Sequence, residues 1–281
     1  MTVGFRPRVA LASLSGESDA AWARDAVPYA GAAFLGGIAI DEPTREAARG
    51  LVDRRRTEFL PPDPVAFVDR QLGALADAPL VPGFNVRTTT LDPLRSVGEV
   101  CRQHGALLEI NAHCRQDEMC AAGAGETLLG DVEVLCEQVG AASEMGASVS
   151  VKVRTEVSGV DLPELAAAAD GAGASFIHVD AMDSEAVVAD VVAATDAAVI
   201  ANNGVRGRES VREYLSYGAD AVSVGRPSDN PTVLARVRDA TADWFHGTGE
   251  GRGSNRGGSA DSERDDRTTQ PPDRRPTGGT R

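Results

Sequence analysis

The stretch Val149–Ala181, VSVKVRTEVSGVDLPELAAAADGAGASFIHVDA, contains one full cycle of the pattern that decides the fold. Its first six residues alternate valine with Ser150, Lys152 and Arg154, the period of a strand with one apolar face. Leu162–Ala172 follows with helical periodicity, and Gly173-Ala174 supplies an exit that tolerates left-handed backbone. Phe176–Ala181 then returns as a second β-rich run. Strand, helix and strand joined in this way read as a parallel βαβ unit.

The same cycle extends in both directions. β-rich runs recur at Arg8–Leu14, Ala33–Ile40, Leu80–Arg87, Leu107–His113, Val149–Arg154, Phe176–Ala181, Ala198–Asn202 and Ala221–Gly225. Helical periodicity fills the intervals, as over Glu126–Glu144. Asp63-Pro64, Asp92-Pro93 and Asn230-Pro231 each place a capping side chain before a proline suited to a first helical turn. Gly31-Ala32, Gly105-Ala106, Gly146-Ala147 and Gly218-Ala219 repeat the exit glycine. Eight strands alternating with helices predict an α/β fold, a (β/α)8 TIM barrel. A doubly wound open sheet is the rival, but Ser13–Ser18 after the first strand contains no GxGxxG turn.

Composition agrees with one large domain. Of 281 residues, 42% are hydrophobic and only 4% aromatic, so the core is expected to consist mainly of Ala, Val, Leu and Ile. No run approaches the ~20 apolar residues of a membrane span, and no secretory leader is visible, so a cytoplasmic protein is expected. The barrel is assigned to residues 1–246, and the Gly/Ser/Pro/Arg/Asp-rich segment 247–281 is expected to be disordered. The formal net charge is −14, and the chain has one lysine among its 28 basic residues. Residues 1–250 carry 21 basic and 37 acidic side chains. That balance fits a salt-adapted, halophilic proteome, in which strong salt screens the self-repulsion, or a GC-rich genome that writes Arg for Lys. Cys101, Cys114, Cys120 and Cys136 without a leader argue against a disulfide framework. His113, Cys114 and Cys120 lack zinc-type spacing, so no metal site is expected.

Barrel enzymes carry their chemistry at the C-terminal ends of the strands. There, strand alternation turns Lys152 inward, where an ammonium needs an anionic companion. Either a bound ligand or an internal carboxylate such as Glu109 would serve. Asn111 shares the inward face of its strand with Glu109, and Cys114 falls in the loop that follows. A thiol in such a loop is a candidate for proton transfer, while a buried thiol is ordinarily inert packing. His178 points inward at the level of Lys152. Asn203-Gly204 and Gly225-Arg226 end the last two strands, where barrels commonly hold a phosphate on backbone N–H groups.

These residues resemble the dihydrouridine synthase family of FMN-dependent TIM-barrel oxidoreductases over most of residues 8–230. Asn111-Ala112-His113-Cys114 with the Gly123–Leu129 turn is similar to the family's Asn-x-Gly-Cys-Pro signature and the Gly-rich turn after it. Val151-Lys152-Val153-Arg154, Ile177-His178, Asn203-Gly204 and Gly225-Arg226 follow in the family's order, and Ala10–Asp19 looks like a drifted form of its first motif. The resemblance implies that Lys152 and His178 contact the flavin, that Asn85 takes the place of a third-strand Gln, and that Asn111 belongs to the same cofactor site. Asn203, Gly204, Gly225 and Arg226 would surround its phosphate. Reduced flavin would deliver hydride to C6 of a uracil ring and Cys114 a proton to C5, with NADPH as electron donor. That would be a tRNA-processing activity on uridine.

His113 and Arg115 replace the residues that flank the family's cysteine, which marks a divergent, archaeal or halophilic branch. His113 could then share the proton transfer. Room for only one helix, Thr232–Trp244, follows the last strand, so the helical domain with which the family grips tRNA is not expected. Two alternatives therefore stay open. One is a flavoenzyme acting on a free pyrimidine, similar to dihydroorotate or dihydropyrimidine dehydrogenases. The other is a phosphate-binding barrel without flavin.

Overall fold

Alternation along the strands gives each of them two faces, and the two faces bury against different partners. The computed structural model describes residues 3–247. Strands β1 (Val9–Leu11), β2 (Ala32–Ala39), β3 (Val81–Arg87), β4 (Leu107–Asn111), β5 (Ser148–Arg154), β6 (Ala174–Asp180), β7 (Ala198–Asn202) and β8 (Ala221–Val224) form a closed parallel barrel in chain order. Closure is made by β1 on β8, with Val9, Ala10 and Leu11 opposite Val222, Ser223 and Val224. The expected TIM barrel is therefore present, each strand lying within a few residues of its predicted run.

The helices are α1 (Ala20–Asp25), α2 (Glu42–Asp53), α3 (Pro64–Gly73), α4 (Leu91–Gln103), α5 (Asp117–Ala121), α6 (Val132–Glu144), α7 (Leu162–Gly171), α8 (Val187–Ala194), α9 (Arg208–Ser216) and α10 (Pro231–Gly247). Part of the acidic excess does structural work at their starts. Asp19, Asp41, Asp63, Asp131 and Asp161 each accept a backbone N–H of the first helical turn. Each such cap contributes about 1 kcal/mol. The expected disordered segment lies outside the described residues, apart from Gly247.

Three local expectations are corrected. The helix predicted over 126–144 is two elements, a 3-10 turn Gly125–Gly130 and then α6, because Asp131 leaves helical geometry to cap Val134 N at 3.2 Å. Asp92 is not an N-cap. Thr90 holds that position, without a side-chain cap because its hydroxyl is bound to Asp41 Oδ2 at 3.2 Å. Gly105, Gly146, Gly173 and Gly218 adopt left-handed backbone, whereas Gly31 does not. Gly31 is required by close approach instead, since a Cβ there would lie 2.3 Å from the Pro7 carbonyl oxygen.

Outward-facing Val149, Val151 and Val153 are completely buried in the layer between barrel and helices. Each such side chain stabilises the fold by about 1.5–3 kcal/mol. Inside the barrel, Phe34, Leu107, Phe176 and Ile200 join Val3 and Phe5 as an apolar plug. These lie towards the strands' N-terminal ends. Further along the same strands the inward positions turn polar, and there the site begins.

Candidate active site

Glu109 on β4 stands at the centre of a buried hydrogen-bond network. Asn85 Nδ2 donates to its Oε1 at 2.8 Å, while Ser150 Oγ at 3.2 Å and His178 Nδ1 at 2.7 Å share its Oε2. Burial pushes the Glu109 carboxyl up, but its neighbours outweigh that and hold it below its ordinary range. His178 is held low by burial, against the pull of Glu109. A neutral ring donating from Nδ1 to Glu109 and accepting Ser223 Oγ–H on Nε2, at 2.7 Å, satisfies both nitrogens.

A relay leads from this network to the cysteine loop. Asn111 Nδ2 donates to Asn85 Oδ1 at 2.8 Å. Asn111 Oδ1 then accepts the backbone N–H of Cys114 at 3.0 Å and of His113 at 3.3 Å. An Asn side chain reaching two and three residues ahead fixes a turn, which gives the Asn111-to-Cys114 spacing a structural reason. His113 Nδ1 also lies 3.2 Å from Asn111 Oδ1. An amide oxygen only accepts, so Nδ1 carries the proton and Nε2 is left as an acceptor. Burial, together with Lys152, His178, Arg87 and Arg154, pushes His113 well below its ordinary value, so the ring is neutral near pH 7. From the other side, Glu126 N donates to the Cys114 carbonyl at 2.9 Å. Gly125, with φ +68°, leaves that carbonyl no room for a Cβ, which would sit 2.2 Å away.

Two adjoining cavities open at the C-terminal ends of the strands. One, of about 420 Å³, is lined by Lys152, His113, Asp180, Asn203, Gly204, Gly225 and Arg226 among others. The other, of about 720 Å³, extends over Asn111, Cys114, Arg87 and Arg154 and shares His113, Asp180, Asn203 and Arg226. Lys152 is 2% exposed, and no carboxylate of the described residues forms a salt bridge with it. The sequence rival, a direct Lys152–Glu109 pair, is not formed, because His178, Asn85 and Ser150 occupy Glu109. Burial lowers the Lys152 pKa against the more distant pull of Glu109 and Asp180. A buried ammonium that faces a cavity without a salt-bridge partner could hold an anion there.

The loops after β7 and β8 complement it. A Cβ on Gly204 or Gly225 would meet nothing within 4 Å, so backbone there is open to a ligand. Asn203 carries φ +95°, a conformation rare outside glycine, and its Nδ2 donates to Asp180 Oδ1 at 2.7 Å. The structure thus brings Cys114, His113, Asn111, Lys152, Asn203, Gly204, Gly225 and Arg226 to one mouth. It places Asn85 and His178 beneath it, lining neither cavity and fully engaged in the Glu109 network.

Residues not anticipated also converge here. Arg87, the inward residue at the end of β3, is buried, donates to Glu58 Oε2 at 2.7 Å and to Ser15 Oγ, and lines the same cavity as Cys114. Arg154 bonds Glu126 at 2.7 Å, tying β5 to the turn behind Cys114. The period-two alternation that turned Lys152 inward also marks Arg87 from Asn85 and Asp180 from His178. No local signal identifies Glu58 as the partner of Arg87.

Comparison with known proteins places this mouth in context. Residues 99–247 match the family model described as dihydrouridine synthase (Dus). An uncharacterized protein of Methanocaldococcus jannaschii is 26% identical over 232 residues, 78% of this chain and 88% of its own length. tRNA-dihydrouridine synthase B of Xanthomonas axonopodis pv. citri is 28% identical over 149 residues, 48% of this chain and 45% of that protein. Morphinone reductase in complex with tetrahydroNAD superposes with a TM-score of 0.57 at 14% identity, covering 83% of this chain and 87% of the other. The tryptophan synthase complex from Pyrococcus furiosus gives 0.51 at 15% identity, with 83% and 92% covered. At these identities the two structures establish the barrel alone. The family match spans more than half of the chain and takes in Cys114, Lys152 and the loops after β7 and β8: the chain belongs to the dihydrouridine synthase family.

Proposed function

We propose that this protein is an FMN-dependent oxidoreductase that reduces the C5=C6 bond of uridine in tRNA, drawing electrons from NADPH in the cytoplasm. The observation that carries this reading is the meeting, at one barrel mouth, of the unpaired buried Lys152 with a thiol loop fixed by Asn111. The residues present fit FMN. A phosphate suits the open backbone at Gly204 and Gly225, with Arg226 beside it. Lys152 supplies a compact charge for the anionic flavin ring. When bound, FMN supplies the hydride that C6 of the uracil ring receives.

The rest belongs to the chain's own side chains. Cys114 donates its proton to C5, completing the addition of two electrons and two hydrogens across the double bond. The thiolate that remains faces the cavity that Arg87 also lines and regains its proton from solvent at the mouth. Neutral His113 offers Nε2 as a hydrogen-bond acceptor for the ring. The Glu109–Asn85–Asn111 relay keeps the Cys114 backbone in place, with Glu109 and Asn85 beneath the cavities.

The full-length protein is expected to purify with a flavin absorption band and, with NADPH and an unmodified tRNA transcript, to form dihydrouridine detectable by mass spectrometry. Absence of flavin would overturn the reading. Reduction of free uridine monophosphate but not of tRNA would transfer it to a small pyrimidine. Arg226→Gln is expected to weaken FMN binding roughly ten- to hundredfold, the worth of a charge-assisted contact to phosphate. Arg226 is exposed and has no carboxylate partner among the described residues, so Tm should not change. Fluorescence titration of the flavin-free protein measures the affinity, and an unaltered value would remove Arg226 from the phosphate site.

A further inference from the structure

We infer that an arginine rim around the barrel mouth, formed chiefly by Arg55, Arg56 and Arg115, is the surface on which the sugar–phosphate backbone of an unpaired RNA strand docks. The inference rests on the flavoenzyme reading above and assigns the surface that would present its substrate. Its starting point is where cations stand unpaired in an acid-rich chain. Several exposed arginines elsewhere sit against carboxylates, as Arg24 does on Asp77 and Arg102 on Glu99, and others, such as Arg212 and Arg236, line neither cavity, whereas at the mouth the unpaired ones share one cavity. At the end of α2 the three consecutive arginines divide. Arg54 takes the structural role, bound to Glu118 at 2.6 Å, whereas Arg55 and Arg56 pass the helix end and line the larger cavity.

Arg115 lines the same cavity immediately after Cys114. All three are exposed, and none has a carboxylate partner among the described residues. Three carboxylates line that cavity, Glu17, Glu58 and Asp180, against six arginines, and nearby Glu118, which also feels Arg56, is bound by Arg54. So the mouth carries uncompensated positive charge on a body whose first 250 residues have 21 basic and 37 acidic groups. Overall charge would repel a polyanion, and the rim is the place where it can land.

The recess selects the form of that polyanion. Cys114 lies in the mouth, so a base must leave its stack to reach it, which a loop or unpaired strand does at least cost. Phosphates flanking an inserted nucleotide would then fall on the rim. Phosphate contacts of this kind position a nucleic acid without reading its sequence.

The test compares full-length wild type with the R55Q/R56Q/R115Q variant and with an R212Q/R236Q control. Arg212 on α9 and Arg236 on α10 are exposed, have no carboxylate partner among the described residues and line neither cavity. Fluorescence anisotropy follows a labelled, unmodified tRNA transcript across a KCl series. The rim variant should bind roughly tenfold or more weakly, and its slope of log K against log[KCl] should be shallower by about 2. Its flavin content should equal that of wild type, and the control should bind like wild type.

Equal affinity of wild type and rim variant overturns the inference, as does an equal loss in the control. It also fails if anionic phosphatidylglycerol vesicles, rather than RNA, lose their hold on the rim variant. The two readings fail separately. A flavin-loaded protein whose RNA affinity ignores the rim sinks the surface alone. A flavin-free protein whose RNA affinity depends on the rim sinks the flavoenzyme reading alone.

Discussion

Cys114→Ala should keep its FMN and lose about 10²–10⁴-fold in the rate of uridine reduction, the range a positioned proton donor supplies. The thiol lines the larger cavity with Arg87 and Asn111, and its backbone is held from two sides, by Asn111 Oδ1 and by Glu126 N. Those bonds involve only backbone of residue 114, so alanine preserves the loop. The sulfur also packs on a small apolar cluster of Ala48, Leu51 and Met119. Removing it there should lower stability by about 1 kcal/mol, too little to unfold the barrel. Mixing the pre-reduced enzyme with tRNA and following flavin reoxidation isolates the step from NADPH consumption. Full speed in the variant would assign the proton to another donor. Neutral His113 is poorly suited to replace it, since burial and the nearby Lys152, Arg87 and Arg154 cations disfavour the protonated ring that could donate.

What the sequence made legible follows from what a period of two can report. Alternation identifies the face of a strand, and so it turned Asn111, Lys152 and His178 into the barrel and the three valines of β5 outward. It cannot report what lies across the barrel. Glu109 was visible as an inward carboxylate, yet its capture by Asn85, Ser150 and His178 depends on register among four strands. That capture decides whether Lys152 has an internal partner. Asn85 shows the same limit from the other side, because an inward amide reads equally well as a ligand group or as a link between Glu109 and Asn111. Arg87 and Asp180 were readable by the same parity, and their partners Glu58 and Asn203 come from other loops. Motif spacing succeeded where the contact is local, as in Asn111 with Cys114.

Lys152→Met should weaken FMN binding on the order of 10²-fold while making the flavin-free protein more stable. Both effects have one cause. Lys152 is 2% exposed and forms no ion pair among the described residues, so without its ligand it is a charge withdrawn from water and poorly compensated. Glu109 loses only the attraction of Lys152 across the barrel, since its three hydrogen bonds at 2.7, 2.8 and 3.2 Å remain after the substitution. The pH dependence gives the sign. Burial holds folded Lys152 below its ordinary 10.5, so between the two values the unfolded chain binds more protons than the folded one. Unfolding free energy then rises with pH in that window, by at most about 1.4 kcal/mol per unit. The penalty is complete below the folded-state value and gone above 10.5. The other alkaline groups are common to both proteins, so the wild-type-minus-variant difference in Tm isolates the titration of Lys152. For the flavin-free proteins that difference should be negative at neutral pH and shrink towards zero as the pH approaches the upper limit. A pH-independent difference, together with unchanged FMN affinity, would mean that Glu109 already neutralises the ammonium and that the cation is structural. The opposite result would make the unpaired lysine a stability deficit that the bound anion removes, which is how a barrel interior can hold a charge for a ligand rather than for itself.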